Sequence, residues 1–164
     1  MKTRAPASTH KKVVIELADK SALRGYLNPA RLMGSETLDL LSPDGAHEAV
    51  PVAKVRAVYF VRDLDEDFAP ERKAFLSRPK LDGLWVKITF RDEATLEGVI
   101  PNDLLTFLDN GLHLTPPDFN SNADRIYIPR PAIAELTVLG VVGVARRKPA
   151  AAAAAAVQPR LFNE

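Results

Sequence analysis

The alternation of apolar and polar residues occurs twice along the chain. Residues 15–25 return 73 positions later as residues 88–98, with the same order of a strand-like stretch, a short polar turn and a glycine. Alternation with a period of two over this length is typical of a half-buried strand. The residues predicted to face inward on this first strand are Val13, Ile15 and Leu17, then Val86, Ile88 and Phe90 in the second copy.

Each copy continues with four further predicted strands. The second strand carries a glycine on its inward side, Gly25 or Gly98, which indicates a sharp bend or a close backbone approach. A leucine-rich third strand follows, and the fourth strand, 49–52 or 125–128, ends beside a proline. The apolar spacing then changes to three and two, which predicts one tight helical turn leading into a fifth strand.

These patterns predict a mostly β fold made of two tandem, small, five-stranded barrels. Each copy has about 50 residues, and a core of that size is marginal by itself. We therefore expect the two barrels to pack together as one folding unit. The predicted divisions are a flexible basic N-terminus (1–11), a first barrel repeat (12–62), a linker (63–83), a second barrel repeat (84–143) and a tail (144–164).

The linker and the tail have compositions of their own. Pro70 opens a run of good helix formers, which predicts one or two helical turns within the linker. The tail holds seven consecutive alanines, 150–156, and so short a tract does not form a persistent isolated helix in water. We expect the tail to be disordered.

The order of the predicted strands resembles the Sm-like version of the SH3-like barrel. The stretches that carry the resemblance are 13–17, Leu23-Arg24-Gly25, Leu38-Asp39-Leu40 and 50–61, with their second-copy counterparts. The resemblance implies two such barrels and, as an alternative function, RNA binding. The aspartate and asparagine that precede the third strand in RNA-binding Sm proteins are not recognisable here.

Other stretches are similar to a family of uncharacterised bacterial proteins that contain two such repeats. These stretches are 58–63, 83–86, 121–122 and 126–129. The similarity covers most of residues 12–140. It implies no activity and no ligand.

The net charge of +1 is unevenly distributed. Residues 1–12 carry +4 and residues 146–164 carry +3, which leaves −6 for the body between them. An RNA partner is disfavoured, because phosphate contacts need a basic surface. The chain has no cysteine, no signal-peptide pattern and no apolar run long enough to cross a bilayer, so we expect a cytoplasmic protein that does not bind membranes.

The residue types that perform catalysis do not occur in recognisable spacings. His10, His47 and His113 are far apart, and neither a phosphate-binding glycine loop nor a nucleophile elbow is present. We therefore expect no cofactor and no enzymatic activity. The predicted function is that of a bacterial binding, adaptor or regulatory module that acts through protein–protein contacts.

Exposed strand edges are the first candidate surfaces for a protein partner. Sm-like barrels associate by pairing such edges, and a fused pair can satisfy one edge internally. Two loops, 28–33 and 101–106, are also apolar for their position, which indicates either contact with the sister barrel or a docking patch. The loop residues concerned are Arg31, Leu32, Met33, Leu104 and Leu105.

The C-terminal residues form a further candidate contact. Gln158, Leu161 and Phe162 match the Gln-x-x-Leu-Phe spacing of peptides that dock on the bacterial DNA sliding clamp, although Pro159 stands where leucine is usual. Such peptides bind in an extended conformation. The alternative is that Leu161 and Phe162 fold back onto the protein's own barrels. Titration of a peptide of residues 157–164 against purified clamp distinguishes the two.

Overall fold

The structure is a computed structural model and describes residues 9–32, 34–103, 105 and 110–143. These residues form ten β-strands and no α-helix. The strands are β1 Lys11–Leu17, β2 Ala22–Leu27, β3 Thr37–Leu41, β4 His47–Pro51, β5 Val55–Val61, β6 Gly83–Phe90, β7 Thr95–Ile100, β8 Gly111–Leu114, β9 Ala123–Pro129 and β10 Ile133–Val142. The mostly β prediction is confirmed.

The strands form two antiparallel sheets. Seven strands lie in the order β4-β3-β2-β1-β5-β9-β8, and three lie in the order β10-β6-β7. The order within each half of the chain is the same, because the single bridge between Val99 and Thr115 places β7 beside β8. The pairing of β5 with β9 joins the two halves, so one strand edge of the first half is satisfied within the chain.

The first hairpin of each half pairs in an equivalent register. Val13 lies opposite Gly25 in the first half, and Val86 lies opposite Gly98, 73 residues later, in the second. A Cβ atom at Gly98 would lie 2.2 Å from Cγ of Leu114, which is closer than atoms can approach. The close approach predicted at these two glycines is therefore confirmed, and it brings the second strand against the third.

Both halves contribute to both hydrophobic cores. One core lies between the two sheets and includes Val14 and Tyr59 from the first half with Val86 and Ile126 from the second. The other lies on the opposite face of the large sheet, mainly within the first half, and includes Tyr127 from β9. Because β5 is buried on both faces, the halves form one folding unit.

The tight helical turn predicted after the fourth strand is present in both halves. It is a 3-10 turn at Val52–Lys54 and again at Arg130–Ala132. Pro51 and Pro129 precede these turns and lack the amide hydrogen that a continued ladder needs. The fifth strand starts directly after each turn.

Two parts of the predicted architecture differ from the structure. The predicted helix in the linker is wrong, since residues 62–82 form only turns and bends. Contacts with the second half hold this segment, for example the bond from the amide of Phe75 to the carboxylate of Glu97 (3.2 Å), and two isolated turns have little helical stability of their own. The predicted closed barrels are not observed either, because the sheets stay open and β4 and β8 end the large one.

Candidate partner-binding surface

Strand β10 presents the most apolar exposed edge of the part of the chain that the structure describes. It is ten residues long and, among the described residues, pairs only with β6. Val138, Leu139 and Val141 on this strand are 51%, 41% and 40% exposed. Unpaired amide and carbonyl groups beside exposed apolar side chains are a template for another strand.

The equivalent strand of the first half shows what this edge lacks. β5 corresponds to β10 at a spacing of 78 residues, so that Phe60 corresponds to Val138. Phe60 is only 5% exposed, because β9 lies beside it and the guanidinium of Arg125 sits over its ring, 4.3 Å from the centroid. Val138 is half exposed because none of the described strands occupies that position.

The opposite end of the large sheet is the edge of β4. Its outer residues His47, Glu48 and Ala49 are exposed, whereas Val50 is buried in the first-half core. His47 Nδ1 lies 3.2 Å from the carboxylate of Asp39 in β3. This edge is therefore polar where the edge of β10 is apolar.

The segment between β5 and β6 adds a shallow groove at one end of β10. The groove has a volume of about 360 Å³ and is lined by residues that include Phe75, Leu76 and Phe119. Leu76 is 86% exposed. The side chain of Arg78, also in this groove, donates to the backbone carbonyl of Val141, so the last part of the β10 edge is already engaged.

Most of the charged groups that meet at the joint between the halves pair with one another. Arg56 Nη1 lies 2.7 Å from Glu16, Arg56 Nε lies 3.2 Å from Asp92, and Lys20 Nζ lies 2.8 Å from Asp92. The hydrogen bond from Lys20, with smaller contributions from the Ala94 amide and Arg56, holds the pKa of Asp92 well below its usual range. Burial raises the pKa of Tyr59, whose hydroxyl donates to Glu16. These contacts explain a structural role.

Metal-ligating side chains do not converge in the described residues, where no group of three or more histidine, aspartate or glutamate side chains could hold an ion. The ring of His113 in β8 instead packs near Tyr127, 5.0 Å between centroids, and near Phe60, at 6.3 Å. His113 thus contributes to the contact between β8, β9 and β5.

The loop residues predicted as a docking patch occupy different environments. Leu32 is 1% exposed and belongs to the first-half core, so its side chain is unavailable to a partner, whereas Arg31 is exposed and Leu105 is 67% exposed. Tyr127 of the second half shares the core of Leu32, which agrees with contact between the halves. The remaining predicted residues lie outside the described part of the chain: Met33, Leu104, Gln158, Leu161 and Phe162.

Sequence reasoning named free strand edges but did not identify β10. The available signal is an apolar run on both faces of the strand, Val138-Leu139 and Val141-Val142. In β5 the corresponding run is covered on both faces. In β10 the alternation analysis assigned only one face to a core.

Comparison with known proteins places the chain in a family without assigning it an activity. No curated protein and no solved structure matches it. No helix among the described residues is long and apolar enough to span a membrane. The model of a family of unknown function, DUF6982, matches residues 9–140, which is most of the chain, and confirms the expected membership of an uncharacterised family. The chain belongs to the DUF6982 family.

Proposed function

We propose that this protein is a non-enzymatic binding module that recruits a protein partner by strand addition at β10. The observation that carries the proposal is the unpaired edge of β10 with Val138 and Leu139 exposed on it. Strand addition obtains affinity from main-chain hydrogen bonds and specificity from alternate side chains. Association at this edge would cover apolar surface and satisfy backbone groups together.

The proposal extends to the architecture. We infer that the halves are two repeats of an Sm-like plan, supported by their common strand order and by the antiparallel pairing of β5 with β9. Such repeats present one edge for each partner, and the fusion leaves β10 and β4 at the two ends. Superposition of the two halves in an experimental structure tests this inference.

A photo-crosslinking amino acid at Leu139 tests the binding proposal in the native host. We expect a protein adduct at position 139 that is absent when the probe replaces Glu93, which is exposed in a turn. Adding Val138→Lys should reduce the adduct, because a buried lysine would oppose the docking of an apolar strand. Nucleic acid captured in place of protein, or no adduct beyond the Glu93 control, would refute the proposal.

A further inference from the structure

Within the chain, β5 and β9 show how the fifth strand of one half pairs with the fourth strand of the other. β10 is the fifth strand of the second half and β4 is the fourth strand of the first, and both have an unpaired edge in the described structure. We propose that the free edge of β10 binds β4 of a second copy of this chain in the same antiparallel manner. This inference rests on the proposed function of β10 as a partner-binding edge.

The internal pairing specifies the register between copies. Val58 lies opposite Tyr127, and Phe60 lies opposite Arg125. A shift of 78 residues converts β5 into β10 and β9 into β4. Leu136 then lies opposite Ala49 of the second copy, Thr137 opposite Glu48, and Val138 opposite His47.

One face of the paired strands would be apolar. In the first half, Val13 of β1, Phe60 of β5 and Arg125 of β9 form a row across three strands. The corresponding row is Val86, Val138 and His47 of the second copy. The imidazole of His47 would cover Val138 as the Arg125 side chain covers Phe60, which accounts for the 51% exposure of Val138 when the second copy is missing.

The opposite face would be complementary in charge. In the first half this row is apolar, with Val14, Tyr59 and Ile126. Its counterpart is Lys87, Thr137 and Glu48 of the second copy, all of them exposed.

Among the described residues neither Lys87 nor Glu48 has an ion-pair partner. Opposite charges on neighbouring strands stabilise a pairing, and Lys87 is long enough to reach over Thr137 toward Glu48. A cation and an anion thus occupy matching places on two edges that lie at opposite ends of the molecule.

Bulges in β10 do not oppose this pairing. The register of β10 against β6 shifts between Ile133 and Glu135, and the register of β5 against β1 shifts between the corresponding residues Val55 and Ala57. β5 nevertheless pairs with β9. The same backbone irregularity is therefore compatible with a strand on the other side.

The contact between copies should be weaker than the contact within the chain. The internal joint also buries the core between the sheets, whereas the outer face of β10 carries Glu135 and Thr137, which are polar. Strand pairing with few buried side chains belongs to the class of small, transient interfaces. Because the two edges differ, the association is head to tail and produces short chains or a closed ring of copies.

Single cysteines test the register, because the chain has none of its own. Opposite residues in an antiparallel pair lie within the range that a disulfide can bridge. When the full-length Thr137→Cys and Glu48→Cys proteins are mixed and oxidised, we expect a covalent dimer at least about five times more abundant than in either protein alone. Thr95→Cys replaces Thr137→Cys in the control mixture, since Thr95 is exposed on β7, away from the β10 edge.

Charge reversal tests the same contact without covalent chemistry. In sedimentation equilibrium the wild-type chain should associate at about 10–500 μM, in line with a small interface. Lys87→Glu and Glu48→Lys should each weaken the association by about fivefold, and the double variant should restore it. Circular dichroism confirms that each variant folds.

Three outcomes would overturn the inference: a monomer throughout that concentration range, a disulfide yield no higher than in the Thr95 control, or association that the charge reversals leave unchanged. If the probe at Leu139 still captures another protein, the proposed function stands and only its assignment to a second copy is lost. If the probe captures nothing, both are lost.

Discussion

The guanidinium group of Arg56 in β5 lies over the ring of Phe90 in β6, with its central carbon 3.9 Å from the ring centroid. The same group donates hydrogen bonds to Glu16 of β1 and to Asp92 in the turn after β6. Only 13% of the Arg56 side chain is exposed. One cation therefore connects the large sheet to the small one through two carboxylates and an aromatic face.

Removal of this cation should destabilise the whole chain. We expect Arg56→Met to lower the free energy of unfolding by about 2–4 kcal/mol, because Glu16 keeps a mostly buried charge without its partner. Urea unfolding measures the change. Lys54→Met, which removes an exposed cation nearby, is the matched control and should cost less than about 0.5 kcal/mol. Equal losses in the two variants would contradict a role for the buried pair.

The stability of the fold should decrease in acid partly through Asp92. Its pKa is lowered in the folded chain, chiefly by the hydrogen bond from Lys20, so the charged form favours folding. That contribution is complete above the unfolded pKa of about 3.9 and is lost as the pH falls below it. Asp92→Asn should therefore flatten the loss of stability between about pH 5 and pH 2, measured by urea unfolding at each pH. An unchanged slope would exclude Asp92 as a source.

Gly98 should not tolerate even a methyl group. Gly98→Ala would place Cβ 2.2 Å from Leu114, and we expect a loss of about 1–3 kcal/mol in the free energy of unfolding from this overpacking. Gly140→Ala is the matched control, since its nearest neighbour would be a Trp85 ring carbon at 3.8 Å. Thermal unfolding should show a clear decrease in Tm for the first variant alone. A tolerated Gly98→Ala would mean that β7 and β8 separate more easily than their packing indicates.

Backbone strain in a turn offers a stabilising substitution. Lys20 and Glu93 occupy equivalent turn positions and have positive φ angles of 74° and 72°. Glu93→Gly should raise the free energy of unfolding by up to about 1 kcal/mol, because glycine adopts this conformation without strain. Glu93→Ala controls for the loss of the carboxylate and should give no gain. Urea unfolding compares the two, and equal effects would refute the strain argument.

Glu97 should hold the segment that precedes β6. Its carboxylate accepts hydrogen bonds from Trp85 Nε1 (2.9 Å) and from the Phe75 amide (3.2 Å), and its own amide donates to the Lys73 carbonyl (2.7 Å). Glu97→Ala should increase the rate of tryptic cleavage in this segment by about tenfold or more, because local opening depends on few such contacts. Glu135→Ala, on the exposed face of β10, is the control. Mass spectrometry of the fragments locates the cut, and equal rates would contradict this role.

The strand pattern was accessible from the sequence because it depends on local periodicity. Side chains alternate across a strand whatever lies beside it, so Val86, Ile88 and Phe90 could be assigned to one face before the fold was known. The turns after Pro51 and Pro129 follow from a change in the same spacing. The linker helix failed for the complementary reason, since the contacts of Phe75 with Glu97 and Trp85 are tertiary.

The sequence by itself determined that this protein is a twofold repeat of five short strands with glycines at the close approaches. Only the tertiary structure decided how the repeats meet. The pairing of β5 with β9 buries Tyr59 and Phe60 on opposite faces and leaves Val138, their neighbour by repeat, exposed at a free edge. Periodicity states which residues share a face, but it carries no information about which strand lies alongside, because that depends on contacts between residues distant in the chain.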